Sequence, residues 1–497
     1  MAKQKQKTNI AEPVPSGNGK SPASVISSIR NIMREDPGVN GDGQRLEQLS
    51  WLIFLKLLDA NEAEYELDLD GYVSPVPEQF RWRAWAEASD KDRLTGDALI
   101  TFIDGELFPT LRRLRASDQT NPVAESIAHT LTTLFTDVNN YMKNGVVLAK
   151  VISQLNQIDF NSRTERHLFN DIYEQMLREL QSAGSYGEFY TPRPLTNFIV
   201  EQVNPKFGEV VLDPACGTGG FLVSTVEHLR RQNLTTEQEL QLEQYIRGTE
   251  WKTLPYALCA INLRLHNLSQ PSIIKDDAFN RPLSSYTSED RVHCIVANPP
   301  FGGTMDAGSH NNFTTSYKTK ETADLFLVLM IELLLNGGRA GIVLPDGSLS
   351  GEGVKARIRQ KMLEECNLHT IVRLDNSVFK PYATVKTNLL FFTKGQPTKE
   401  VWYFQNPLPD GSKGYSKTKP MQDRDFDALR AWWNNRTENE NAWRVPIADI
   451  AARGYDLDIK HPNAVQEEVL EAPPVIIAQI EKDLADLVAL VGKMKAF

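Results

Sequence analysis

Asn298, Pro299, Pro300 and Phe301 stand directly after a strand-like apolar run, in the stretch CIVANPPF (294–301). The two prolines remove two backbone donors and fix φ, so the carbonyls here are held and left free. Asn298 adds a side-chain carbonyl, an acceptor with no charge of its own. Phe301 offers a flat apolar face. A planar ring carrying N–H donors is the complement of this group. A rigid turn that merely ends a strand is the plain alternative.

A second group lies upstream. EVVLDPACGTGGFLVSTVEHL (209–229) reads as strand, glycine turn, helix. Gly217, Gly219 and Gly220 let the backbone come close to a ligand at the helix start, at the carboxyl end of the first strand. A glycine turn alone often does no more than pack a helix on a sheet. Asp213 sharpens the reading, because at this strand tip it repels a pyrophosphate and attracts an ammonium or sulfonium group. In YIRGTEW (245–251), Glu250 sits at the tip of the second strand, where an acid can accept both hydroxyls of a ribose. The third strand ends in Asp276 and Asp277. Each acid taken singly could cap a helix or solvate a loop. Together, on successive strand tips, they describe a pocket for a positively charged nucleoside without phosphates. S-adenosylmethionine fits that description; NAD and ATP fit it poorly.

These residues need elements to hold them. From about Ser21 to Ala183 the pattern is helical, as in RLEQLSWLIFLKLLDANEAEYEL (45–67), with apolar residues at 3–4 spacing. Trp51, Phe54 and Leu58 read as core. After GSYGEFYTPRPL (184–195) short strand-like runs alternate with helical stretches: EVVLD, YIRGTE, SIIKDD, HCIVANPP, AGIVLPDG, HTIVRLD and TNLLFF. That alternation predicts an α/β domain with a mostly parallel sheet. The expected division is a disordered tail over 1–20, a helical domain over 21–165, a catalytic domain over 166–400, a mixed extension over 401–470 and a terminal helix over 471–497. In that last helix Ile477, Ile480, Leu484, Leu487, Val491 and Met494 repeat at 3–4 spacing, a seam for a partner helix or for the chain's own domain. The extension carries a basic Gly/Ser loop, GSKGYSKTKP (411–420).

The whole-chain figures bound the function. With 497 residues and 41% apolar content the chain is long enough for two or three packed domains. The four cysteines, Cys216, Cys259, Cys294 and Cys366, form no metal-type pair and suit a reducing compartment. No secretory signal or membrane span is evident, and LFLVLMI (325–331) reads as a buried helix. A net charge of −10 argues against a stand-alone DNA clamp, while leaving room for a basic cleft or a basic partner. SGNGKS (16–21) is no phosphate loop, since Val14 occupies the place of its first glycine. No Pro-Cys pair offers the nucleophile of a cytosine C5 enzyme, and Cys216 reads as packing. His293, beside Cys294, reads as core.

DPACGTGGF followed by NPPF, with GEFYTPRPL ahead of both, resembles an amino-group DNA methyltransferase of the N6-adenine kind. NYMKNG (140–145), DIYEQMLRELQSAGSYGEFYTPR (171–193) and the ending YDLDIKHPN (455–463) are similar to the modification subunit of type I restriction–modification systems. The resemblance spans nearly the whole chain after the tail. It implies a Rossmann-like, S-adenosylmethionine-dependent methyltransferase domain with an N-terminal helical domain and a C-terminal helical extension. It further implies that Glu188, Phe189, Tyr190, Thr191, Pro192 and Arg193 close over the cofactor. Thr218, Gly219 and Gly220 line its methionine end, Glu250 takes the ribose, and Asp277 meets the adenine amino group. Where relatives often show Gly-Asp, this chain has Asp276-Asp277.

The exocyclic nitrogen of adenine is a poor nucleophile, its lone pair delocalised into the ring. In the implied reaction Asn298 and the Pro299 carbonyl hold its hydrogens, and Phe301 stacks on a base extruded from double-stranded DNA. The loop 302–322, rich in Gly, Ser, Thr and Asn, is expected as a mobile cover, with Lys318 and Lys320 available to phosphates, or as a solvated loop. Implied partners are a DNA specificity subunit carrying two copies of this chain, and a restriction/translocase subunit, in a bacterial or archaeal cytoplasm. Two other readings stay open at this level: a methyltransferase acting on a protein glutamine or an RNA base, and a cofactor-binding scaffold without turnover.

Overall fold

The apolar 3–4 spacing of the N-terminal region forms the helices Pro22–Met33, Gly41–Asp68, Pro122–Asp137 and Gly145–Leu155. The computed structural model describes residues 22–88, 93–115, 121–160, 170, 173, 174, 177, 190–268, 270–302, 309–380, 383–409, 411–416, 418–463, 481 and 484. Trp51, Phe54 and Leu58 are buried, as their spacing predicts. Trp51 meets Phe108 edge-on at 5.1 Å, and Phe108 meets Phe135 at 5.0 Å. Asn121 and Asn144 cap their helices through side-chain oxygens that accept N–H groups of the first turn. Buried Asp36 accepts the N–H groups of Gly38, Lys143 and Asn144 at 2.8–3.0 Å, tying the NYMKNG segment to the end of the first helix.

This helical region is not closed on itself. Leu258, Ile261 and Leu265, on the helix Thr253–Leu265, belong to the same apolar core as Phe54, Leu57 and Leu58. Residues 1–458 accordingly make one compact unit, with 459–497 as a second.

One nine-stranded sheet organises the rest of the first unit. Its strands are β1 Val211–Asp213, β2 Ile246–Glu250, β3 Ser272–Lys275, β4 Val292–Ala297, β5 Leu334–Pro345, β6 Cys366–Arg373, β7 Thr387–Lys394, β8 Glu400–Gln405 and β9 Ala442–Pro446. Their order is β3-β2-β1-β4-β5-β7-β6-β8-β9. The first five are parallel, β7 runs antiparallel between β5 and β6, β8 is parallel to β6, and β9 is antiparallel to β8. The expected α/β class holds. The stretch 401–470, anticipated as a mixed extension, instead supplies β8 and β9 to the same sheet.

Leu195, Phe198 and Ile199 of the helix Arg193–Val203 pack with Val296, Val343, Leu389 and Phe391 from β4, β5 and β7. The run 325–331 lies within the buried helix Thr322–Leu333. His293, expected in the core, is half-buried and accepts the Val210 N–H at its Nδ1, 3.1 Å away. Among the described residues no helix is long and apolar enough to cross a membrane. The tail 1–20 lies outside the described residues, as does the terminal seam apart from Leu484, which is exposed.

Strand order reverses at β1, with β2 on one side and β4 on the other. In open α/β sheets such a reversal leaves a crevice beyond the carboxyl ends of the strands. Asp213 ends β1 and Asn298 follows β4, so both stand at that crevice.

Candidate active site

The crevice at the reversal is lined by Thr191, Asp213, Gly217, Thr218, Gly220 and Asn298 among others. The sequence motifs that carry these residues are spread over more than a hundred positions; the sheet brings them together. Apolar β4 buries itself completely from Cys294 to Ala297, and the following prolines end the ladder by withholding donors.

Asn298 donates an amide N–H to the Thr191 hydroxyl at 3.0 Å, while its Oδ1 is buried and has no hydrogen-bond partner. A buried, unpaired carbonyl is costly and calls for a donor from outside the chain. Pro299 is buried and Pro300 exposed. Phe301 is half-buried against the core and meets Phe379 edge-on at 5.7 Å.

Asp213 is 1% exposed, and its Oδ1 accepts the Ala215 N–H at 3.1 Å. Burial pushes its carboxyl up to about 8; the Ala215 N–H opposes this and the nearby Glu250 charge adds to it. Glu250, also buried, accepts the Gly217 N–H at 2.9 Å and the Lys252 N–H at 2.8 Å. The carboxylate thereby holds the glycine turn against β2.

Gly217 and Gly219 have φ of +53° and +81°, a region open to glycine. At Gly219 the requirement is also one of space: a Cβ would lie 2.8 Å from Cys259 Sγ. This glycine seats the turn on the helix Thr253–Leu265, a packing role beyond the ligand approach the sequence predicts. Asn262, on that same helix, donates to the Thr218 carbonyl at 2.9 Å. Cys216 Sγ lies 3.8 Å from Cys259 Sγ, with both thiols free and buried. The Cys259 contact and burial push the Cys216 thiol up, so it packs and does not attack.

The segment ahead of the glycine turn divides its duties. Glu188 and Phe189 lie outside the described residues. Tyr190 is buried in the helical core, and Pro192 caps the helix Arg193–Val203. Thr191 alone of the remaining four lines the crevice. The Arg193 guanidinium is engaged by both Glu174 oxygens and by the Gly220 carbonyl, a clamp between segments rather than a crevice wall.

Beyond Glu250 a wider cleft is lined by Trp251, Lys275, Asp276, Thr136 and Asp137. Trp251 is 60% exposed, unusual for so large an apolar ring. Sequence reasoning passed over it, although its place directly after a strand-tip acid was the available signal. Asp276 faces this cleft, whereas Asp277 Oδ1 accepts the Phe279 N–H at 2.9 Å. Glu174 lies in the DIYEQML stretch that carries the resemblance, though no role was expected of it, and nothing in the sequence marked Asn262.

Residues 164–470 match the family model described as N-6 DNA Methylase, and residues 23–155 match the HsdM N-terminal domain. The chain is 51% identical to the type I restriction enzyme EcoEI methylase subunit of Escherichia coli, over 95% of this chain and 96% of that one. It is 27% identical to the EcoKI methylase subunit of Escherichia coli K12, over 81% of this chain and 76% of the other. Among solved structures, a modification subunit ascribed to a type I restriction enzyme from Vibrio vulnificus YJ016 superposes with a TM-score of 0.77 at 41% identity, covering 92% of this chain and all of the other.

Proposed function

The chain belongs to the N-6 DNA methylase family, as the modification subunit of a type I restriction–modification system, and from that premise we propose how its residues act. The enzyme is an adenine-specific DNA methyltransferase that places a methyl group on N6.

The observation that carries the mechanism is the Asn298 carbonyl, buried, unpaired and fixed by Thr191. Asn298 Oδ1 and the Pro299 carbonyl accept the two N6 hydrogens of an extruded adenine. Held so, the nitrogen keeps its lone pair out of the ring and aims it at the methyl donor. Phe301, braced by Phe379, stacks on the base. No covalent enzyme intermediate is needed, consistent with the inert Cys216.

The crevice fits S-adenosylmethionine: an unpaired acceptor at one wall, a buried acid at the floor and a second acid beside a left-handed glycine turn. When bound, S-adenosylmethionine supplies an electrophilic methyl group on a sulfonium centre. Asp213 faces its positive end, and Thr218, Gly219 and Gly220 border its methionine portion. Glu250, the acid at the tip of β2, takes the ribose hydroxyls. Asp277 takes the adenine amino group and Trp251 covers the purine face. Thr191 borders the site, and Arg193 braces its glycine turn through the clamp on Glu174 and the Gly220 carbonyl.

Sequence choice belongs to a separate specificity subunit carrying two copies of this chain, joined by a restriction/translocase subunit, in the cytoplasm of the cell. Methylome sequencing with and without the genes for this chain and its specificity subunit tests the reading. Loss of N6-methyladenine at a two-part site is expected. Unchanged methylation by a complex carrying Asn298→Ala overturns the catalytic assignment.

A further inference from the structure

The basic loop 411–420 stands out in a chain of net charge −10, and the structure gives it a place. Tyr415 is buried and donates its N–H to Ser377 Oγ at 2.7 Å. Ser377 in turn donates its N–H to Asp375 Oδ1 at 2.8 Å, which fixes the turn that carries Phe379. Phe379 is the ring that braces Phe301. The loop is therefore anchored to the support of the base-stacking residue. Its tip is folded tightly by paired backbone bonds between Ser416 and Lys419, at 3.0 and 3.1 Å.

Four lysines share this neighbourhood. Lys380 directly follows Phe379, and Lys386 precedes β7 where Thr387 pairs with Pro345 at the carboxyl end of β5. Lys413 and Lys419 flank Tyr415 on the anchored loop. All four are exposed, and among the described residues none of their ammonium groups has an ion-pair or hydrogen-bond partner. Two arginines nearby are already engaged, Arg373 by Asp458 at 2.5 Å and Arg430 by Glu201 at 2.8 Å. Lys318, an earlier candidate for phosphate, gives its Nζ to Asn311 Oδ1.

We propose that Lys380, Lys386, Lys413 and Lys419 form a rim that grips the DNA phosphates flanking the extruded adenine. The inference rests on the reading of Asn298 and Phe301 as the base pocket. A nucleotide swung out of the stack carries its own backbone toward the pocket mouth, and unpaired point charges suit phosphate oxygens. An acidic chain needs such a local surface, because phosphate neutralisation with counterion release supplies sequence-independent affinity.

The test uses the complex of full-length chain and specificity subunit on a duplex carrying 2-aminopurine at the target adenine. Affinity is measured against salt for wild type, for a variant with all four lysines changed to Gln, and for one with all four changed to Arg. Each lost phosphate contact lowers the slope of log K against log salt by about 0.9. The Gln variant is expected to lose at least about 1 in slope, and about 3–4 if every lysine is engaged. The Arg variant is expected to keep the slope, and binding of S-adenosylhomocysteine to stay unchanged in both. A Gln variant whose slope falls by less than about 1 overturns the rim. So does one that keeps the slope and assembles poorly with the specificity subunit, which assigns the loop to a protein contact. If the wild-type complex neither methylates the duplex that keeps adenine at the target nor raises 2-aminopurine fluorescence on the substituted one, the pocket reading fails and the rim with it. Wild-type activity beside an unaltered variant slope sinks the rim alone.

Discussion

Asn298 and Thr191, 107 positions apart, meet through one hydrogen bond of 3.0 Å that fixes which end of the amide faces the crevice. Without it the amide could rotate and offer N–H groups where the target base needs an acceptor. Thr191→Val is therefore expected to lower kcat by about tenfold, with little change in the KM for DNA. Asn298→Ala, which removes the acceptor itself, is expected to cost about 10²–10³-fold in kcat. Single-turnover methylation by the reconstituted complex reads both. Equal rates for Thr191→Val and wild type would show that the hydroxyl does not hold the amide.

Asp213 makes the cofactor site sensitive to pH. Burial holds its carboxyl near 8, so in the free protein it is largely protonated at neutral pH. A positively charged ligand favours the ionised form, and its binding must then release a proton. Apparent affinity for S-adenosylmethionine is expected to rise up to about tenfold per pH unit from pH 6 and to level off above pH 8. Calorimetry in buffers of different ionisation enthalpy counts the proton; Asp213→Asn is expected to abolish its release. For the fold alone the sign is opposite. An acid raised on folding favours the native state fully below its unfolded value near 4, and that contribution is lost as pH rises through about 8. Proton release that persists in Asp213→Asn would assign the effect elsewhere.

The part of the fold that could be read from the chain is the part governed by local pattern. The apolar runs that became β1 to β7, the glycine turn after β1 and the proline stop after β4 each announce themselves within ten residues. Strand order does not: β7 inserting antiparallel between β5 and β6 is a long-range pairing, and the short runs EVWYFQ and AWRVP joined the sheet only through it. The site divides the same way. Asn298, Asp213 and Glu250 stand at strand tips, so spacing finds them. Arg193 changed meaning because its partner, Glu174, comes from a helix with no chemical signature of its own.

Gly219 is expected to tolerate no side chain. Alanine there takes on a left-handed backbone, costing about 1–2 kcal/mol, and brings Cβ within 2.8 Å of Cys259 Sγ. Overpacking of that kind adds about 1–3 kcal/mol. Urea unfolding of Gly219→Ala, alone and with Cys259→Ala, separates the two terms: the second change is expected to recover the steric part and leave the backbone part. A double variant no more stable than Gly219→Ala would mean the contact with Cys259 is not the constraint.

The Arg193–Glu174 pair joins the helix that covers β4 and β5 to the segment before it, and it reaches the glycine turn through the Gly220 carbonyl. Both side chains are 16% exposed, so each shields the other from water. Removing one partner strands a largely buried charge, which costs about 3–5 kcal/mol. Glu174→Met is therefore expected to destabilise strongly and to weaken S-adenosylhomocysteine binding, because a loosened Arg193 releases the turn. Replacing both residues by Met leaves no stranded charge, and stability is expected to return by more than half while ligand binding stays weak. That split, fold restored and affinity not, distinguishes a clamp on the cofactor site from an ion pair that only holds the helix. Recovery of both together would reduce the pair to the second role.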